Sequence, residues 1–502
     1  MTVRIFAVGL ALSAAVVAMP PDIPTRARSA IYVSISDTDT TEKRIAVVMG
    51  DSLIGMHESG ESVQLFVGRV RGYQDSTTLR AARAKRFVES RRFLFTGNVV
   101  VVDKGDSLFA DSVYYDEAVK TGRATGSVRL SDGEVTAFAP SGTYFIDEKR
   151  AVFTDGLRLV DSAAAIGANG GTYWTEEKRA EVAGDVRLEA ERTYLEADSV
   201  TYHREEETAL ARGNVFIERL GTEADSSRRT LLFGPWAFND ELAGFSRMRG
   251  FPTLVQLRAD STGVDTLVVT ARELASTESD TLRRLIATGH VRYWQTDHAA
   301  AADSMVYEGI DAHVDSAGTA ARTYLFGKPA LWVDTSQMTG DTISVLAIDD
   351  EVDSLFVQGG AFVARQDSVL QRIHQVRGKT LTASFTTDST RVFVLTGNVE
   401  SLYYRHDEEN APDGAVHVTG DEAVFHFHGD DLRDLAFGSH QGTYYPESVL
   451  PDRLELEGFS WTPEAKPSKA VLLEAEHVRV RLKCDAESSC RRPRRPKDNQ
   501  YY

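Results

Sequence analysis

Apolar and polar residues alternate along this chain in short runs that return every 29 residues. Val128-Arg129-Leu130, Leu157-Arg158-Leu159 and Val186-Arg187-Leu188 each put two apolar side chains on one face and an arginine on the other. Val215-Phe216-Ile217 keeps the apolar pair. A period of two is that of a strand with one buried face. Val99, Val128, Leu157, Val186 and Val215 mark the series; Ala110, Ala139, Ala168 and Ala197 keep the same step, as do Tyr115, Tyr144, Tyr173 and Tyr202. A glycine precedes each strand, at Gly97, Gly126, Gly156, Gly184 and Gly213, with one slip of a residue at Gly156. Asn98 and Asn214, directly after glycine, suit a turn entering the strand.

The second strand of each unit changes parity. Leu108 and Ala110 share one face, whereas Val113 and Tyr115 share the other; Leu195, Ala197, Val200 and Tyr202 repeat this. Burying both halves requires a bend or bulge at Asp111-Ser112 and Asp198-Ser199, so the strand turns a corner, as at the edge of a flattened barrel. The motif returns at Gly289, Val291, Tyr293, Ala302, Asp303 and Tyr307. It returns again at Gly327, Gly340, Asp341 and Val345, with the smallest residue in the alanine position. Gly397-Asn398-Val399 opens another unit, with Gly420, Asp421 and Phe425 as its second strand after a loop insertion around 405–414. Ala475, Val478 and Val480 read as a last one, and Gly50-Asp51 as an early one. The stretch 75–92 is Arg- and Ala-rich and reads as a short helix or connector. No single unit can bury its apolar face alone, so stacking must align the apolar pairs into a continuous inner stripe. The small residue repeated in each unit either leaves room along the inside or simply lets the strand bend.

The ends and the charge narrow the setting. Arg4 followed by the apolar run 5–17 and Val16-Val17-Ala18 reads as a secretory signal, too short to anchor the chain across a bilayer. Later stretches do not reach membrane-spanning length. The net charge of −18 argues against a nucleic-acid partner. Cys484 and Cys490, the only cysteines, lie in the tail and either pair locally or stay as thiols.

Catalytic chemistry finds little support. Gly50-Asp51-Ser52-Leu53 and Gly105-Asp106-Ser107-Leu108 both spell the signature of a lipid-esterase family, but a nucleophile motif should occur once, with a D-x-x-H pair downstream, and this chain has none. The repeated Asp111, Asp198, Asp303, Asp341 and Asp421 occupy one structural position, which points to side chains binding backbone amides at bulges rather than to calcium. His426 and His428 share a strand face near Asp430 and Asp431 but lack a third well-placed metal ligand. A non-enzymatic protein without cofactor or metal is expected.

The phrases Gly97-Asn98-Val99, Leu108-Phe109-Ala110-Asp111-Ser112-Val113-Tyr114-Tyr115 and Leu195-Glu196-Ala197-Asp198-Ser199-Val200-Thr201-Tyr202 resemble the OstA/LptA family of lipopolysaccharide-transport proteins. The resemblance runs from about 92 to 219 and, with gaps, from 287 to 482; Leu454 to Trp461 resembles the C-terminal end of long OstA-like proteins. It implies an all-β, elongated β-jellyroll or β-taco of stacked repeats, open along one edge. It also implies a periplasmic bridge that shields lipid A acyl chains and joins other transport proteins, or further copies of itself, by end-to-end strand pairing. The lipid-lining positions would then be Val99, Val101, Leu108, Ala110, Val128, Leu130, Leu157, Leu159, Val186, Leu188, Leu195, Ala197, Val215, Ile217 and Val291.

The expected organisation is a signal peptide over 1–18, an N-terminal segment with an early repeat over 19–92, and a regular array over 93–220. An irregular joint follows over 221–260, then a second array over 261–482 and a basic tail over 483–502. A structural or adhesive surface repeat without lipid is the alternative. A polysaccharide-acting β-helix enzyme would need an unrepeated cluster of carboxylates or basic residues on one outer face, which the sequence does not offer.

Overall fold

The computed structural model describes residues 31–36 and 45–482, apart from 75, 104–105, 134, 161–163, 222–226, 260–262, 279–281, 311–319, 349–350, 386–389, 429–430, 452–453, 476–477 and 479–481. The signal segment, the basic tail and both cysteines lie outside the described residues. Among the described residues the chain forms 33 strands, with helix confined to single turns such as Lys469–Leu472. Neighbouring strands pair antiparallel, and the all-β expectation is met.

The chain divides into two compact units, residues 1–219 with 236–243 and residues 220–235 with 244–502. In the first unit, strands Arg92–Asp103, Asp106–Asp116, Thr121–Ser131 and Thr136–Phe145 follow one another as hairpins. Each pairing slips once in mid-strand, between Thr96 and Val99, between Phe109 and Ser112, and between Thr125 and Val128. These slips are the corners that the parity change predicts. At one of them Gly97 has φ 82° and Asn98 φ 49°. This is left-handed backbone that glycine adopts freely and that asparagine tolerates better than most residues. On either side of the corner, Ala110 and Val113 differ in parity, yet both are buried in one cluster with their partners Val99 and Phe95 and with Phe93, Ala124 and Val128. The strand therefore folds over at the glycine, and its two arms bury their inner faces against each other.

Two sequence expectations need correction in this frame. Residues 75–92 are not a helix: Thr77–Phe87 is a strand with its own corner, and Ala81 and Ala84 face the core. Arg80 and Arg83 occupy the outward positions beside these alanines, while Arg86 shares the face of Ala84 and lies over the Phe93 ring, and so period two survives on each arm in an Arg/Ala composition that favours helix on propensity alone. Residues 405–414 are not a loop insertion either. Thr390–His406 and Pro412–His428 are simply long strands meeting in a short turn.

The second unit repeats the corner, with slips at Thr288/Val291, Gln358/Ala361 and Thr396/Val399. Gly420 stands opposite Val399, the small-against-large pairing expected there. After the last strand, Gln441–Pro446, the chain runs back over this unit as a strap. Phe362 and Ala364 alternate with Ala361 and Val363, which face the core, so they lie on the outer surface of that arm. Leu454, Leu456, Phe459 and Trp461 cover them together with Leu402, Tyr404 and Ala415. Two buried glutamines stitch the strap down. The Leu456 amide donates to Gln375 Oε1 at 2.9 Å. The Thr462 amide donates to Gln337 Oε1 at 2.9 Å, while Gln337 Nε2 donates to the Ser460 carbonyl at 3.1 Å. Further on, Lys469 Nζ reaches Thr266 Oγ1 at 3.0 Å. The expected last strand at 475–480 is absent among the described positions: Ala475 lies in a bend and Val478 in a helical turn.

Candidate apolar groove

The residues proposed from sequence as lining fall into two adjacent rows on the inner face of one arm of the first unit. Nearest the corner, Val99 stands opposite Ala110, Val128 opposite Ala139, Leu157 opposite Ala168 and Val186 opposite Ala197. One step out, the pairing runs without a break: Val101 to Leu108, Leu108 to Leu130, Leu130 to Ala137, Ala137 to Leu159, Leu159 to Ile166, Ile166 to Leu188, Leu188 to Leu195, and Leu195 to Ile217. Eight strand spacings make this row about 38 Å long. Val215 continues the inner row, whereas Val291 lies in the other unit, in its separate core.

Burial changes along and across these rows. At the corner, Val99 and Val215 are each 1% exposed, while Val101 and Ile217 are half-buried. Leu108, Leu130 and Leu195 are half-buried likewise, so over these strands the arms part as they leave the corner. In the middle, Leu157, Leu159, Val186 and Leu188 are all buried. There, an apolar cavity of only about 10 Å³ is left between Leu157 and Leu159 on one arm and Phe153, Tyr173 and Val182 on the other. The arginines expected to point outward, Arg129 and Arg187, are exposed, and Arg129 lies 4.2 Å from the Phe109 ring centroid.

The opposite arm supplies lining that the strand motif alone did not single out: Phe93, Phe95, Val113 and Ala124, with Phe66 from an earlier repeat, while Val70 of that repeat extends the arm of Val99. The signal for the last two was present. Gly68-Arg69 is a corner with φ 79° and 43°, and Phe66 and Val70 flank it.

The repeated aspartates have a role different from the one expected. Their carboxylates sit against the glycine of the next corner, where a Cβ would collide: Asp51 with Gly68, Asp111 with Gly126, Asp198 with Gly213, Asp303 with Gly327 and Asp341 with Gly359. At two of these corners the residue after the glycine also hydrogen-bonds the carboxylate through its side chain. Asn214 Nδ2 donates to Asp198 at 3.1 Å, and Arg69 Nη2 to Asp51 at 2.7 Å. Ser52 and Ser107, of the two esterase-like tetrapeptides, lie within strands Ser52–Glu58 and Asp106–Asp116 and not on a strand-to-helix turn. Beside Ser107, burial together with Asp132 and Asp103 pushes the Asp106 carboxyl up to about 6. His426 is half-exposed, with Nδ1 3.9 Å from Asp434, and no cluster of three potential metal ligands occurs among the described residues.

Residues 42–198 match the family model described as OstA-like protein, so the resemblance carried by the strand motifs holds over that segment. Among solved structures, LptH from Pseudomonas aeruginosa, described as the LptA-homologous periplasmic component of the lipopolysaccharide transport device, is similar at 16% identity. That likeness covers 22% of this chain and 82% of LptH, with a TM-score of 0.20. No curated protein matches the chain.

Proposed function

We propose that this is a periplasmic, non-enzymatic bridge protein that shields the acyl chains of lipopolysaccharide, or of a related glycolipid, on their way to the outer membrane. The observation that carries the reading is the unbroken outer row from Val101 to Ile217, apolar at every rung and half-exposed at five of its positions, Val101, Leu108, Leu130, Leu195 and Ile217. Each methylene that leaves water against such a surface contributes about 0.8 kcal/mol. Affinity then comes from chain burial, since a chain of net charge −18 does not attract an anionic headgroup. The OstA-like match over 42–198 supports the same reading.

Photoreactive residues placed at Leu108, Leu130 and Ile217, with Arg129 and Arg187 as outward controls, test it in the exported protein. Glycolipid adducts at the inner positions alone are expected. Adducts at none of them, from a folded and exported protein, would favour the second reading: a structural or adhesive repeat with a filled interior, for which the tight packing around Leu157 and Leu188 speaks.

Partners of the same transport system, or further copies of the chain, would join through strand edges. Gln441–Pro446 is exposed and pairs, among the described residues, with Pro412–His428 on one side. A proline at Thr443 removes a ladder donor from that strand. It should abolish end-to-end association in sedimentation experiments while leaving the monomer folded.

A further inference from the structure

The tyrosines that recur every 29 residues form a third row, on the inner face of the arm opposite the two aliphatic rows. Across successive strands the row reads Tyr115, Gly122, Tyr144, Ala151, Tyr173, Ala180, Tyr202, Ala209. Large and small residues alternate strictly, so the rings stand two strand spacings apart, about 9.5 Å, with a notch between each pair. Tyr115 packs on the aliphatic cluster and Tyr173 on the cavity beside Leu157.

Two members of the row are anomalous. Tyr173 is 3% and Tyr202 8% exposed, yet neither hydroxyl has a hydrogen-bond partner. Arg204 approaches the Tyr173 hydroxyl closely enough to pull against the rise in its pKa both by charge and as a side-chain donor, though outside the geometry of a well-formed hydrogen bond, so Tyr202 is the plainer case of the two. A buried hydroxyl left unpaired costs roughly 1–3 kcal/mol, and phenylalanine would fill the same space at no such cost. Burial pushes both hydroxyls up to about 12, further above neutral pH than the ordinary value of 10, so both are O–H groups there. Tyr293 of the second unit shows the ordinary solution, its hydroxyl 2.7 Å from Gln295 Oε1 and 3.0 Å from His298 Nε2. The carboxylates of Asp132 and Asp106, next to the hairpin turns of the facing arm, act electrostatically on Tyr173.

We propose that the tyrosine row is the polar register of the groove, with Tyr173 and Tyr202 donating hydrogen bonds to ester, amide or hydroxyl oxygens at the junction between the acyl chains and the headgroup of a bound amphiphile. This rests on the lipid-groove reading and narrows it: the ligand carries oxygen acceptors close to its chains, and a bare hydrocarbon leaves the two hydroxyls unpaired. At Gly122 an added Cβ would meet nothing within 4 Å, so a chain has room between Tyr115 and Tyr144, whereas at Ala151 and Ala180 the notches are closed and the arms must part for a ligand to reach Tyr173.

The test is equilibrium binding of two probes, hexa-acylated lipid A and a long-chain n-alkane, to the full chain and to its Tyr173→Phe, Tyr202→Phe and double variants, with thermal unfolding measured alongside. The double variant should bind lipid A about tenfold more weakly, bind the alkane as tightly as the parent or tighter, and unfold at the same or a higher temperature. Unchanged lipid A binding in the double variant overturns the proposal. A marked fall in unfolding temperature overturns it too, since the hydroxyls would then be satisfied within the protein. A parent chain that binds neither probe sinks the groove reading itself.

Discussion

At Gly213 the chain turns with φ 71°, and a methyl group added there would run into the Asp198 carboxylate one strand away. Left-handed backbone costs an ordinary L-residue about 1–2 kcal/mol, and the collision adds to it. Gly213→Ala should therefore lower stability by about 2–4 kcal/mol in chemical denaturation. Adding Asp198→Ala should restore only the collision's share and leave the backbone share, and full recovery would refute this account of the corner. The sequence showed the glycine and aspartate series separately. Their contact was hidden because the partners belong to different strands, 15 residues apart, and only the register slip brings them together. A second residue-scale effect is electrostatic. Asp106 has its pKa raised to about 6 by burial and by Asp132 and Asp103, so its ionisation is disfavoured in the folded state. Such a group protects stability below the unfolded carboxyl pKa, near 4, and that contribution is lost as pH rises through about 6. Asp106→Asn should raise the melting temperature at pH 7.5 by roughly 1–2 °C, the scale of a screened surface interaction of about 0.5 kcal/mol. The gain should vanish near pH 4, where the parent carboxyl is already neutral; a gain independent of pH would show that charge is not its source.

Strands were the most legible elements because one buried face imposes period two whatever the composition, and even the Arg- and Ala-rich Thr77–Phe87 obeys it. Corners were legible from the change of parity at Asp111-Ser112. The strap was not, although Leu454 to Trp461 stood out as a family-like segment. It has no periodicity of its own, and its partners Gln337 and Gln375 sit more than 80 residues earlier, on positions that pattern alone assigns to solvent. Gln337 is 1% exposed, receiving Trp332 Nε1 at 3.1 Å and the Thr462 amide at 2.9 Å while donating to the Ser460 carbonyl. Gln337→Leu would strand three buried polar groups, at roughly 1–3 kcal/mol for each that water cannot reach. The expected result is a loss of several kcal/mol and proteolytic release of the chain beyond residue 450 at protease levels that leave the parent intact. If the strap stayed protected, the hydrogen bonds would be incidental to its docking.

For the whole molecule, charge and groove pull in opposite directions. A net charge of −18 surrounds an apolar surface read as the seat of an anionic amphiphile, so long-range electrostatics opposes the encounter and chain burial must overcome it. The sign of the salt dependence follows. At 0.01 M ionic strength the charges act over about 30 Å, and at 0.15 M over about 8 Å. Added salt therefore removes repulsion while leaving burial untouched, and it strengthens burial slightly if the anion is excluded from protein surfaces. Lipid A should bind more tightly as NaCl rises from low to physiological concentration, chiefly through a faster association rate, because steering acts on encounter more than on dissociation. A ligand held by exposed arginines such as Arg129 and Arg187 would weaken under the same change. Measuring the association rate of lipid A across that range separates the two: acceleration by salt places the cargo on the inner apolar rows, and deceleration would move it to the outer arginine face and overturn the groove.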